Sequence, residues 1–133
     1  MLIDSDVLVW LTRGHRVAAV RLRALATWRI SAVTYMELAQ GCRGKTELSR
    51  LPKALDARGT EIVPITPVIT RRAIAPMEQR ALPHGMRLTD ALIASTAVAV
   101  ERNRHHCGRR AFFVSRWAGH RSVCALSARP FPP

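Results

Sequence analysis

The sequence predicts an α/β protein, a central, mainly parallel sheet covered by helices on both faces, in three layers. Short apolar or β-branched stretches alternate with segments of helical spacing up to residue 101, the pattern of a parallel sheet with crossover helices. The chain is 48% hydrophobic but only 5% aromatic, as in Ala/Leu/Val-rich α/β proteins rather than sandwiches. An acid also stands at three strand-to-helix junctions, Asp4, Glu37 and Asp90. Parallel sheets gather the C-terminal ends of their strands along one edge, so such acids can converge although distant in sequence.

Taken in order, Met1 to Ile3 reads as a short buried strand ending at Asp4. Asp6 to Arg13 carries Val7, Leu8, Trp10 and Leu11 at helical spacing before Gly14. Val17, Val20, Leu22 and Leu25 indicate a second helix. Trp28 to Val33 has the composition of a strand, and Thr34 opens a third helix that ends before Gly41. Leu48, Leu51 and Leu55 mark a fourth helix, closed by Gly59. Glu61 to Ile65 is a strand whose Pro64 puts it at a sheet edge or a strand end. A helix from Pro67 to about Ala81 follows, then a turn at Pro83-His84-Gly85 and an apolar helix from Leu88 to Glu101.

At 133 residues the chain fits one domain with a real core. It has no internal repeat and no Gly/Ser linker. Cys42, Cys107 and Cys124 form no CxxC pair, which predicts reduced thiols and a cytoplasmic setting. The opening Met-Leu-Ile-Asp lacks a basic region and is not expected to act as a signal peptide. No apolar run has the length to span a bilayer. A net charge of +12 points to a polyanionic partner, nucleic acid ahead of a membrane surface. Residues 102–133 hold seven arginines and no acid, whereas residues 1–101 hold 14 basic and 9 acidic side chains. Much of the positive charge therefore belongs to an atypical tail.

Acids that converge repel one another, and a shared cation relieves that repulsion. Each acid also has a structural reading. Asp4 suits a helix N-cap. Thr34-Tyr-Met-Glu37 fits a capping box with Glu37 reaching back to the cap. Asp90 can complement the start of a helix, although Leu92, Ile93, Ala97 and Val98 make that helix apolar on most sides and favour partial burial of its first turn. A buried lone carboxylate is costly without a partner, which weighs towards metal binding. Asp4 and Asp6 also form the Asp-x-Asp of aspartyl-phosphate hydrolases, but Val7-Leu8-Val9 lacks the Thr which that motif needs. His105-His106-Cys107 lacks zinc-ligand spacing and reads as no site.

Leu2-Ile-Asp4-Ser-Asp6-Val-Leu8 resembles the opening of PIN-domain ribonucleases, VapC-type toxins in particular. Ile30 to Gly41, with Glu37, is similar to the family's glutamate segment, and Gly85 to Ala94, with Asp90, to that of its third acid. The resemblance covers residues 1 to about 101. It implies a PIN-like α/β/α domain with Mg²⁺ or Mn²⁺ held by Asp4, Glu37 and Asp90, which are also its catalytic residues. It further implies hydrolysis of RNA phosphodiester bonds, a homodimer, and neutralisation by a cognate VapB-like antitoxin. Asp6 falls where the family has Asn or Asp.

The family's fourth acid has no counterpart, because no Asp or Glu follows Glu101. Asn103 to Arg110 is a poor strand by composition. Either Ala111 to Val114 supplies the strand after a longer loop, or the gene's reading frame is displaced. Permitted codons for the stretch from Glu101, read one nucleotide later, can encode Ser-Ala-Ile-Ala-Thr-Ile-Ala-Asp-Ala-Glu-His-Phe, a strand with an acid. The alternative function, supported by the atypical tail and the high charge, is a catalytically impaired basic nucleic-acid-binding or antitoxin-titrating protein. Sequencing the gene should reveal this string in the displaced frame; a different string there removes the frameshift reading.

Overall fold

The computed structural model describes residues 2–102 and 113–114. Four parallel strands lie in the order β3-β2-β1-β4. They are β1 (Leu2–Ile3), β2 (Arg29–Ser31), β3 (Glu61–Val63) and β4 (Phe113–Val114). The helices are α1 (Ser5–Thr12), α2 (Arg16–Arg23), α3 (Ala32–Gln40), α4 (Lys45–Asp56), α5 (Pro67–His84) and α6 (Leu88–Arg102).

Successive strand residues point to opposite faces of a sheet, and β1 uses both. Ile3 pairs in register with Ile30. These two share one core with Val7, Leu8, Ala18, Leu22, Trp28 and Leu55, contributed largely by α1, α2 and α4. Leu2 enters a second core with Val33, Ile93 and Ala97. The three-layer α/β/α expectation therefore holds. α5 packs against α6 and buries Ile69 and Ala73.

Local chemistry sets the element ends. Gly14 and Gly85 adopt positive φ, 78° and 62°, a conformation that side chains with a Cβ resist. α5 begins with Thr66 as N-cap and Pro67 in its first turn, where a missing N–H costs nothing. It runs past the expected end near Ala81, because Pro83 removes only its own N–H. The N–H groups of Gly85 and Met86 still reach the carbonyls of Ala81 and Arg80, at 3.0 and 3.4 Å. β3 is an edge strand, as Pro64 led one to expect, but it ends at Val63 rather than Ile65, with Pro64 directly after it.

Three expectations need correction. In α2 the buried residues are Ala18 and Leu22, while Val17 and Val20 are exposed. The orientation is anchored by the Trp28 indole, whose N–H donates to the Leu22 carbonyl at 3.0 Å. The strand expected over Trp28 to Val33 ends at Ser31, and the helix expected from Thr34 begins at Ala32. Ser31 is the N-cap of α3, its Oγ accepting from the Thr34 N–H at 3.0 Å. The capping box from Thr34 to Glu37 is thereby excluded. Both Ser31 and Thr34 are fully buried, so each needs an internal partner, and capping three residues earlier satisfies both. Glu37 then falls in the second helical turn and is released from the cap.

Phe113 and Val114 pair with Leu2 and Ile3, so the stretch ending at Val114 does supply a strand. His105, His106, Cys107 and the remainder of the stretch involved in the displaced frame lie outside the described residues.

Ser31→Ala should cost about 1–2 kcal/mol in urea denaturation, as loss of a serine cap does. Glu37→Gln should cost nothing comparable; an equal loss there would reinstate the capping box.

Candidate functional site

Asp4 stands at the C-terminal end of β1, between β2 and β4 in the sheet, and caps α1. Its Oδ1 accepts from the Ser5 N–H at 2.7 Å. The structural reading of Asp4 is thus correct, yet a cap does not account for its surroundings. Its relative exposure is only 9%. Burial pushes its carboxyl up from 3.8 to about 6, partly offset by the hydrogen bonds from Ser5, with the charges of Asp6 and Glu37 raising it further.

Glu37 reaches the same place from α3, which packs against α1. The Ser5 hydroxyl donates to Glu37 Oε2 at 2.6 Å and lies 3.3 Å from Asp4 Oδ1. Two acids separated by 33 positions in sequence are therefore joined through one serine. Asp6, in the first turn of α1, is half-buried and near enough to act on Asp4.

Asp90 behaves differently. It lies in the first turn of α6, half-buried, and its Oδ2 accepts from the Arg87 N–H at 3.3 Å. That is the back-reaching half of a capping box. Among the described residues no three His, Cys, Asp or Glu side chains form a group able to hold a metal ion. The structure brings Asp4 and Glu37 together, with Asp6 beside them, and leaves Asp90 on its own helix start.

The donor chemistry still fits a hard divalent cation. Mg²⁺ takes oxygen ligands and is commonly held by one or two carboxylates, keeping several waters. A buried carboxylate pushed upward and facing two other acids is a position that positive charge would relieve. Ser5 is the participant that sequence reasoning missed. Its signal was a small hydroxyl side chain directly after the strand-end acid, but the sequence carries no sign that it faces Glu37. No helix among the described residues is long and apolar enough to cross a membrane.

The displaced titration of Asp4 has a definite sign. Its folded value lies above its ordinary one, so it favours folding fully below about pH 3.8 and loses that contribution as pH rises through about 6. Between about pH 4 and pH 8 the metal-free protein should lose about 2 kcal/mol relative to Asp4→Asn. Paired denaturation curves measure the gap, and a gap that does not change with pH would contradict the burial of a charge at Asp4.

No curated protein matches the chain significantly. Among solved structures, it is similar to a toxin–antitoxin complex from Klebsiella pneumoniae, with 29% identity and a TM-score of 0.63 over 75% of this chain and 79% of that one. It is similar to VapBC2 from Rickettsia felis, bound to a DNA fragment from its promoter, with 22% identity and a TM-score of 0.61 over 75% and 80%. FitAcB from Neisseria gonorrhoeae is also similar, with 22% identity and a TM-score of 0.56 over 75% and 81%. Residues 1–106 match the PIN domain, and with a parallel sheet that delivers Asp4 and Glu37 to one edge, the chain belongs to the PIN-domain family.

Proposed function

We propose that this protein is a metal-dependent endoribonuclease, the toxin of a VapBC-type toxin–antitoxin module, cleaving RNA phosphodiester bonds. The observation that carries the reading is the Asp4–Ser5–Glu37 constellation at the C-terminal edge of the sheet. Membership of the PIN-domain family supports it, as does likeness to the Klebsiella pneumoniae toxin–antitoxin complex. The partners under this reading are RNA, a VapB-like antitoxin and a second copy of the chain.

Asp4 and Glu37 would hold Mg²⁺ or Mn²⁺, with Asp90 the third acid of the set. When bound, such an ion lowers the pKa of its water and offsets charge developing on the phosphate. Asp4 contributes a carboxylate fixed by the Ser5 N–H, and Glu37 one fixed by the Ser5 hydroxyl. Ordering both before substrate arrives removes an entropic cost from the reaction. The net charge of +12 suits the phosphate backbone, which attracts Arg and Lys irrespective of base sequence.

A second reading is a basic nucleic-acid-binding or antitoxin-titrating protein without catalysis. The lack of a three-acid group among the described residues favours it, as does the lack of any acid after Glu101. Purified protein incubated with RNA and Mn²⁺, with and without EDTA, separates the two. The nuclease reading expects EDTA-sensitive cleavage; binding that falls steeply with salt, without cleavage, supports the alternative. Asp4→Asn should abolish cleavage while circular dichroism shows the fold retained, and unchanged cleavage would remove the role given to Asp4.

A further inference from the structure

We propose that Ser5 is a positioning residue, whose hydroxyl clamps the Glu37 carboxylate beside Asp4 so that the two form one bidentate-capable cation site. The proposal rests on the metal-binding reading above and assigns a role to a residue outside the three acids.

The hydroxyl has a single proton to donate. The 2.6 Å contact to Glu37 Oε2 has the length of a charge-assisted O–H···O⁻ bond and takes that proton. The 3.3 Å contact to Asp4 Oδ1 is the weaker of the hydroxyl's two, and Asp4 is held mainly by the Ser5 backbone N–H at 2.7 Å. One residue thus fixes two acids with two separate donors. Each donor engages one carboxylate oxygen, Oδ1 of Asp4 and Oε2 of Glu37. The other oxygen of each acid receives no hydrogen bond from Ser5.

The arrangement also opposes an electrostatic preference. Ser5 contacts both carboxylates, at 2.7 Å through its N–H and 2.6 Å through its hydroxyl, so two acids are held near each other in a partly buried place. Without the hydroxyl, Glu37 is free to take another rotamer towards solvent, which relieves the repulsion. A cation would then have to reorder Glu37 before using it. Hydrogen-bond partners that orient ligands typically account for about 10–100-fold in metal affinity. Ser5 is the first residue of α1, so truncation to Ala, a good helix former, keeps the backbone donor to Asp4 and the helix.

The test is Mn²⁺ affinity of the whole chain by isothermal titration calorimetry, with no RNA present. Ser5→Ala should weaken binding about 10–100-fold, with the midpoint of thermal unfolding in EDTA close to that of the unaltered protein. Ser5→Thr, which keeps a hydroxyl, should restore most of the affinity. In a Glu37→Gln background Ser5→Ala should change affinity little further, since the hydroxyl acts through Glu37. Equal Mn²⁺ affinity of Ser5→Ala and the unaltered protein overturns the clamp alone, and so does a full additional loss in the Glu37→Gln background. If the unaltered protein binds no Mn²⁺, the metal-binding reading falls and takes the clamp with it.

Discussion

The placement of β1 governs the rest of the molecule. Its two residues, Leu2 and Ile3, are almost wholly buried and point into separate cores on opposite faces of the sheet. Neighbouring strands pair with β1 on both sides. A strand held this way cannot slip by one residue, since slippage would exchange the two cores. The residue after Ile3 is therefore fixed in space, and it is Asp4. The same pairing positions β2, whose last residue caps α3 and so sets where Glu37 emerges. A steric demand of the interior thus determines where charge appears at the sheet edge.

That edge carries an internal tension. Asp4 is a helix cap, which favours the ionised form through the Ser5 N–H, but it is also buried, which favours the neutral form, and burial prevails. A side chain chosen for stability alone would be Ser or Asn, which cap equally well without bringing a charge inside. An acid in its place, beside two others, brings a charge into the interior that the cap alone does not require.

Much of the fold was legible because period and punctuation agreed. The apolar run before Asp4 and the Gly14 and Gly59 stops located their elements, while the runs before Thr34 and around Pro64 showed that a strand is present but not where it ends. The misreadings arose where two local solutions compete. Ser31 and Thr34 are both good caps, and burial of both residues decided between them. In α2 the apolar Val17 and Val20 face outward, and Ala18 and Leu22 face the core, because Trp28 anchors the helix there. At the site, the acids were visible as residue types at strand ends, but proximity was not. Asp4 and Glu37 meet only through a serine, and that depends on how α1 packs on α3, which no local pattern encodes.

The short edge strand β3 has a bearing on solution behaviour. Its outer side presents backbone donors and acceptors that another extended segment could pair with. Three features discourage that. The strand has only three residues, Glu61 puts a carboxylate on it in an ion pair with Arg29, and Pro64 follows at once, denying a further N–H to an incoming ladder. The exposed Ile62 would otherwise make this margin adhesive. Brevity, charge and a proline together keep a sheet with an open flank from templating fibrils.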